Sequence, residues 1–192
     1  MSDILEIKHL TKNYGRLEVK GIFDISPKAC EAAVARGTHV YDSLDDILSD
    51  PEIDLILVSA TNDVHKSLSI EAMRAGKNVI SEKPVTMNSG ELEEIMAVVK
   101  ETGKVFTIDQ NRRTNRDFVL MRRNAESGII GKPIVIESRV EGSRGMPKGW
   151  RTLKELGGGM MLDWGVHLID QLLQIFDGKI ERINCTFDHI TN

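Results

Sequence analysis

The sequence is poor in cysteine: Cys30 and Cys185 are the only two in 192 residues. They match no metal-ligand or redox spacing, which argues against a disulfide scaffold, a zinc module or any bound metal, and suits reduced packing thiols in a cytoplasmic protein. Positive charge is not in excess either. The 25 Lys+Arg against 29 Asp+Glu leave a net charge of −4, so no nucleic-acid partner is expected. No run approaches the ~18 apolar residues of a membrane-spanning helix, and no membrane partner is expected. Met1 to Gly15 carries acids and lacks the apolar segment of a secretory signal. What remains is an ordinary globular composition, 41% hydrophobic and 28% charged. A chain near this length suits one domain or one and a half, at ~100–200 residues each. It buries roughly 70% of its unfolded surface, enough for a core without staples.

From Leu17 to Gln110 short β-branched runs alternate with helical stretches. Strands are expected at Leu17–Phe23, Thr38–Tyr41, Asp54–Ala60, Lys77–Ser81 and Val105–Asp109. Helices are expected at Pro27–Arg36, Leu44–Ser49, Asp63–Ala75 and Ser89–Thr102, where apolar residues recur at spacings of three and four. Asp54–Ala60 is apolar without alternation, as in a central parallel strand covered on both faces. The alternation indicates an α/β fold with a doubly wound parallel sheet. Beyond Gln110 the pattern predicts a basic amphipathic helix over Arg112–Ser127 and a half-wet strand over Pro133–Glu141. A glycine-rich loop then leads to a helix from about Met160 to Phe176 and a last strand, Ile180–Ile190. This change of character divides the chain into residues 1–111 and 112–192.

Several residues could carry chemistry, each with a plainer alternative. Asp24 closes a strand and either turns the chain or accepts the hydroxyls of an adenosine ribose, favouring NAD over NADP by repelling a 2′-phosphate. Thr61, Asn62 and His65 follow the long apolar strand, at the end where open parallel sheets bind ligands, or they simply start a helix. Glu82-Lys83-Pro84 ends the next strand. Its ammonium could polarise a hydroxyl or carbonyl, or pair with its neighbour in solvent. Asp163, His167, Asp170 and Gln174 share one helical stripe, either a wet face or a carboxylate orienting an imidazole base. Gly157-Gly158-Gly159 before it would allow close backbone approach to a ligand. The arginines at 112, 113, 116, 122 and 123 read as a solvated face.

Taken in order, Asp24, Thr61-Asn62 with His65, Glu82-Lys83-Pro84, and three glycines before Asp163-x-x-x-His167 resemble the Gfo/Idh/MocA family of oxidoreductases. The resemblance runs from about Leu17 to the C-terminus. It implies an incomplete Rossmann-type dinucleotide-binding domain over residues 1–111 and a partial α+β substrate domain with an open sheet over 112–192, in an NAD(P)-dependent enzyme that moves a hydride between nicotinamide and a hydroxyl carbon of a sugar, inositol or glycoside. By position, Lys83 would polarise the reacting hydroxyl, and His167 would be the general acid/base with Asp163 assisting. Asp24 would hold the ribose, while Thr61, Asn62, His65 and Glu82 would line the rest of the cofactor site with Lys83. Gly149-Trp150-Arg151 resembles a loop that reaches back to the cofactor, and Arg112 or Arg113 could contact substrate. The family's open C-terminal sheet implies a homo-oligomer.

Two parts of that pattern are missing. A G-x-G-x-x-G turn should stand about 20 residues before the acidic residue, yet residues 1–23 contain only Gly15 and Gly21. Known members also extend well past this C-terminus. The alternative expectation is therefore a catalytically impaired, truncated remnant or a partner-dependent binding module. Asp3 to Gly15 resembles the opening strand of ABC-transporter ATPases, but no phosphate loop follows and no ATPase is inferred. Ile4–Leu10 is expected to refill the lost central strand as a hairpin partner of Leu17–Phe23.

Overall fold

The computed structural model describes residues 18–141, 148–176 and 178–187. The expected strand at Ile4–Leu10 lies outside these residues, as does the end of the strand expected over Ile180–Ile190.

The first five strands all form, shorter than the sequence suggests, and every pairing is parallel. Strand β1 (Gly21–Ile22) pairs with β2 (His39–Val40), with helix α1 (Pro27–Val34) between them. A second sheet has the order β3 (Leu55–Val58), β4 (Asn78–Ser81), β5 (Phe106–Ile108). Its crossovers are α3 (His65–Arg74) and α4 (Ser89–Thr102), while α2 (Leu44–Ser49) links the two sheets. This is the α/β, Rossmann-like arrangement anticipated from the alternation. One correction concerns β3. The apolar run predicts a strand covered on both faces, but β3 bonds only to β4 among the described residues and Leu57 is exposed. Its other hydrogen-bonding edge has no partner strand among the described residues, and the face that carries Leu57 is only partly covered.

Local chemistry explains the helix limits. Pro27 opens α1 with its φ already helical. Ser43 caps α2, its hydroxyl accepting from the Asp46 N–H at 3.1 Å. Asn88 caps α4 in the same way through Glu91 N–H, while the Glu91 carboxylate reaches back to the Met87 N–H. Gly103 ends α4 at φ 66°, a left-handed position that suits glycine.

The core is one cluster. Ile47 and Leu48 of α2 meet Val58 of β3, Ala72 and Met73 of α3, Val79 of β4, and Ile95 and Val98 of α4. Phe23 and Tyr41 of the first sheet pack against the same cluster, so it spans both sheets. Asp50 adds a polar tie: its carboxylate accepts from the Tyr41 hydroxyl at 2.5 Å and its carbonyl from the Lys77 ammonium at 2.6 Å.

After β5 the chain turns through a 3-10 segment (Asn111–Thr114) into α5 (Arg116–Glu126). Residues 133–141 form no strand, and neither do residues 180–187, contrary to the alternation read there. Side chains such as Ile134, 91% exposed, find no opposing layer among the described residues. A half-buried strand needs such a layer to hold its alternation. The helix expected from Met160 begins instead with a π turn (Met161–Gly165) before α6 (Val166–Ile175).

Candidate active site

The site lies where the carboxyl ends of β4 and β5 face the π turn and the start of α6. Pro84 stops β4 just after Lys83, leaving that side chain at the sheet's end. The Lys83 ammonium donates to the carbonyl and to Oδ1 of Asp163, both at 2.8 Å. An ammonium has three donors, and these contacts use two. Both side chains of the pair are largely shielded, at 15% and 17% exposure. Asp163 Oδ2 lies 3.6 Å from Arg151 Nε, and the Arg151 guanidinium stacks on Trp150 at 4.6 Å. The structure thus joins four of the expected residues, Lys83, Asp163, Arg151 and Trp150, in one chain of contacts.

His167 sits beside them, 4% exposed. Its Nδ1 lies 3.2 Å from Gln110 Oε1, and its ring meets the Trp164 indole edge-on at 6.0 Å. Burial pushes the imidazole pKa below its ordinary 6.5, and the charges of Lys83 and Arg112 add to this, while Asp163 and Asp170 oppose it. The ring is therefore neutral at pH 7 and able to accept a proton. Glu82 shifts the other way. Burial raises its carboxyl above the usual range and Asp109 adds to this, against the Lys83 N–H, which bonds to it at 3.2 Å.

Of the polar stripe expected on the helix from Met160, Asp163, His167 and Asp170 meet protein partners, while Gln174 is exposed. Asp170 takes a two-point contact from Arg113, at 2.8 and 2.5 Å, and Gln171 donates to the carbonyl of Arg112 at 3.1 Å. Arg112 itself lies over the Trp164 ring at 4.7 Å. Arg113 is thereby committed to the protein, and Arg112 stands beside the site. Ile169, Leu172 and Leu173 of α6 are exposed. The helix docks by its polar side because the surface it meets is the polar rim of the sheet.

The remaining expected residues hold the frame. Asn62 is buried and donates to the carbonyl of Gly157 at 2.7 Å, across 95 residues. His65, 1% exposed, has Nδ1 2.7 Å from the Pro84 carbonyl and Nε2 3.1 Å from that of Ala60, clamping the ends of β3 and β4 together. Its ring is committed to positioning rather than opening onto the crevice. Thr61 flanks this clamp, half-buried, without capping the turn that follows. Asp24 is buried at the end of β1, where its Oδ1 accepts from the Ser26 N–H at 2.7 Å. The glycine run also reads differently. A Cβ on Gly157 would fall 2.6 Å from Asn62 Cβ and Met87 Sδ, and one on Gly158 2.5 Å from the Arg151 carbonyl, so the close approach is to the protein itself. Sequence reasoning missed Gln110 and Trp164. Gln110 directly follows the last strand of the sheet, where a ligand-facing polar group belongs; nothing in the spacing marked Trp164.

Parallel strands linked by helices, with a lysine and a histidine close together at their carboxyl ends, make this a Rossmann-like α/β protein with a candidate site at the sheet's end. A profile described as "Oxidoreductase family, NAD-binding Rossmann fold" matches residues 4–110, and the GFO/IDH/MocA C-terminal domain matches residues 118–192. The chain belongs to the GFO/IDH/MocA oxidoreductase family. It is similar to an uncharacterized oxidoreductase of Schizosaccharomyces pombe, 36% identical over 138 residues, covering 71% of this chain and 37% of that protein. A 1,5-anhydro-D-fructose reductase of Ensifer adhaerens is 35% identical over 68% of this chain and 40% of its own length. A solved NAD-binding protein from Listeria innocua superposes with a TM-score of 0.83 at 48% identity, covering 85% of this chain and 48% of that one. The match thus spans less than half the length of each of these relatives.

The family implies a nicotinamide dinucleotide, and the residues fit it unevenly. Lys83 beside Asp163 and His167 gives a cation, a carboxylate and an imidazole suited to a nicotinamide ring and a hydroxyl beside it. The glycine turn that would cradle the pyrophosphate is absent from residues 1–23. Among the described residues no cluster of His, Cys, Asp or Glu could hold a metal ion, and no helix is long and apolar enough to cross a membrane.

Proposed function

We propose that the chain carries the catalytic half of an NAD-dependent oxidoreductase acting on a hydroxyl-bearing carbon of a sugar, inositol or glycoside. The observation that carries this reading is the meeting of Lys83, Asp163 and a neutral His167 at one spot. Lys83, held by Asp163, directs its remaining donor at the substrate hydroxyl oxygen and favours its anionic form. His167 takes the hydroxyl proton on the nitrogen that does not face Gln110. Asp163 keeps the ammonium in place, and Arg151 neutralises its second oxygen. A nicotinamide dinucleotide would supply the hydride acceptor, and Asp24, Thr61 and Glu82 are the residues that would hold it. Asp24 in that position favours NAD over NADP. The sugar or polyol class is supported by the 1,5-anhydro-D-fructose reductase among the relatives.

The absent glycine turn favours a second reading, in which the same groups persist with weak cofactor affinity or serve a partner-dependent binding module. Titrating NADH by fluorescence separates them. Saturable binding weakened by Asp24→Ala supports the enzyme, and no binding at millimolar cofactor supports the second reading. Where turnover is measurable, His167→Asn should lower kcat by about 10²–10⁴-fold with cofactor affinity nearly unchanged. Lys83→Met should do the same, and full activity in either variant removes that residue from the mechanism.

A further inference from the structure

We propose that Gln110 is a positioning residue that selects the tautomer of His167, holding the proton on Nδ1 and leaving Nε2 as the base. The proposal rests on the reading of His167 as the acid/base group. Gln110 is well placed for it. Its own N–H donates to the Ile108 carbonyl at 3.0 Å, and its carbonyl accepts from the Arg113 N–H at 3.0 Å, so its backbone is fixed at both ends of the turn after β5. From there Oε1 reaches His167 Nδ1 at 3.2 Å. A carbonyl oxygen only accepts, so Nδ1 must be the nitrogen that bears hydrogen, and the lone pair falls on Nε2.

The partner's neutrality matters as much as its direction. The charged groups around the ring are Lys83 after β4, Arg112 after β5, Asp163 in the π turn and Asp170 on α6 itself. A carboxylate at position 110 would orient the ring equally well but would stabilise the imidazolium and draw the base toward its protonated form. An amide orients without adding charge. Gln110 thus leaves burial, aided by two neighbouring cations, to keep the ring neutral, while its hydrogen bond decides which nitrogen works.

Histidine tautomers are read directly from two-bond proton–nitrogen correlation spectra of the 15N-labelled chain, with the His167 signals identified by their loss in His167→Gln. At neutral pH the native chain should show hydrogen on Nδ1 and a lone pair on Nε2. Gln110→Leu should shift the tautomer ratio several-fold toward hydrogen on Nε2, the worth of one buried hydrogen bond. Gln110→Glu should keep the native tautomer and raise the imidazole midpoint. Hydrogen on Nε2 in the native chain, or an unchanged ratio in Gln110→Leu, overturns the proposal. If the leucine variant does not fold, an unraised midpoint in Gln110→Glu overturns it as well. These spectra need no cofactor. Failure to bind NADH would count against the dehydrogenase reading alone, and a wrong tautomer against this proposal alone.

Discussion

Between Gly21 and Ile108 the parallel strands and their helices close around Val79 and Ile95, both fully buried, and polar groups serve mainly as caps and ties. From Asn111 onward the balance inverts. Among the described residues, Phe118 and His167 are the only buried side chains of α5 and α6. Meanwhile the second part is joined to the first by Lys83–Asp163 and Asn62–Gly157, and tied within itself by Arg113–Asp170 and Gln171–Arg112. One region is held by non-directional burial, the other by directional polar contacts. Directional contacts hold side chains at set distances, which is what a proton-transfer site requires.

Substitutions at each kind of contact would break or sharpen this contrast. Ile95→Ala empties part of the cluster and should lower global stability by about 2–5 kcal/mol, read from the urea midpoint. Gly157→Ala should follow at about 2–3 kcal/mol, since it strains a residue at φ 76° and drives a methyl into Asn62 and Met87. Its mark should be loss of protection in α6 amides, with the sheet amides less affected. Arg113→Ala removes a partly exposed ion pair and should cost no more than about 1 kcal/mol by the same urea measurement. Leu173→Ser, on the exposed face of α6, should change stability by less than about 0.5 kcal/mol.

The pH dependence separates the regions again. The folded His167 ring titrates below 6.5 and the unfolded ring near 6.5. Keeping it neutral therefore contributes stability above pH 6.5, and this fades as pH falls through the depressed midpoint. Denaturation at pH 7.5 and pH 5 should show the native chain losing more stability on acidification than His167→Gln. Equal losses would mean the ring is not held neutral in the folded state.

The first region was legible in the sequence because its signals are local. Unbroken apolar runs, the Pro27 start and the Gly103 stop need no knowledge of partners. The second was legible only in part. Asp163 and His167 stood out by spacing, yet the stripe carrying them also looked like a solvated face, and only the rim of the sheet across from it decides which it is. The strands expected at Pro133–Glu141 and Ile180–Ile190 rest on alternation alone, and alternation forms a strand only against a layer that buries it. Gln110 carried no spacing signal. An amide joins such a site through the direction it faces, which the sequence does not record.

The central claim is that a lysine from the sheet and a histidine from the helix beyond it act on one hydroxyl. A crystal structure of the chain with NADH and a polyol tests it most directly. The account predicts a single substrate oxygen within hydrogen-bond reach of both Lys83 Nζ and His167 Nε2. A hydroxyl touching one of these groups while the other points elsewhere would contradict it.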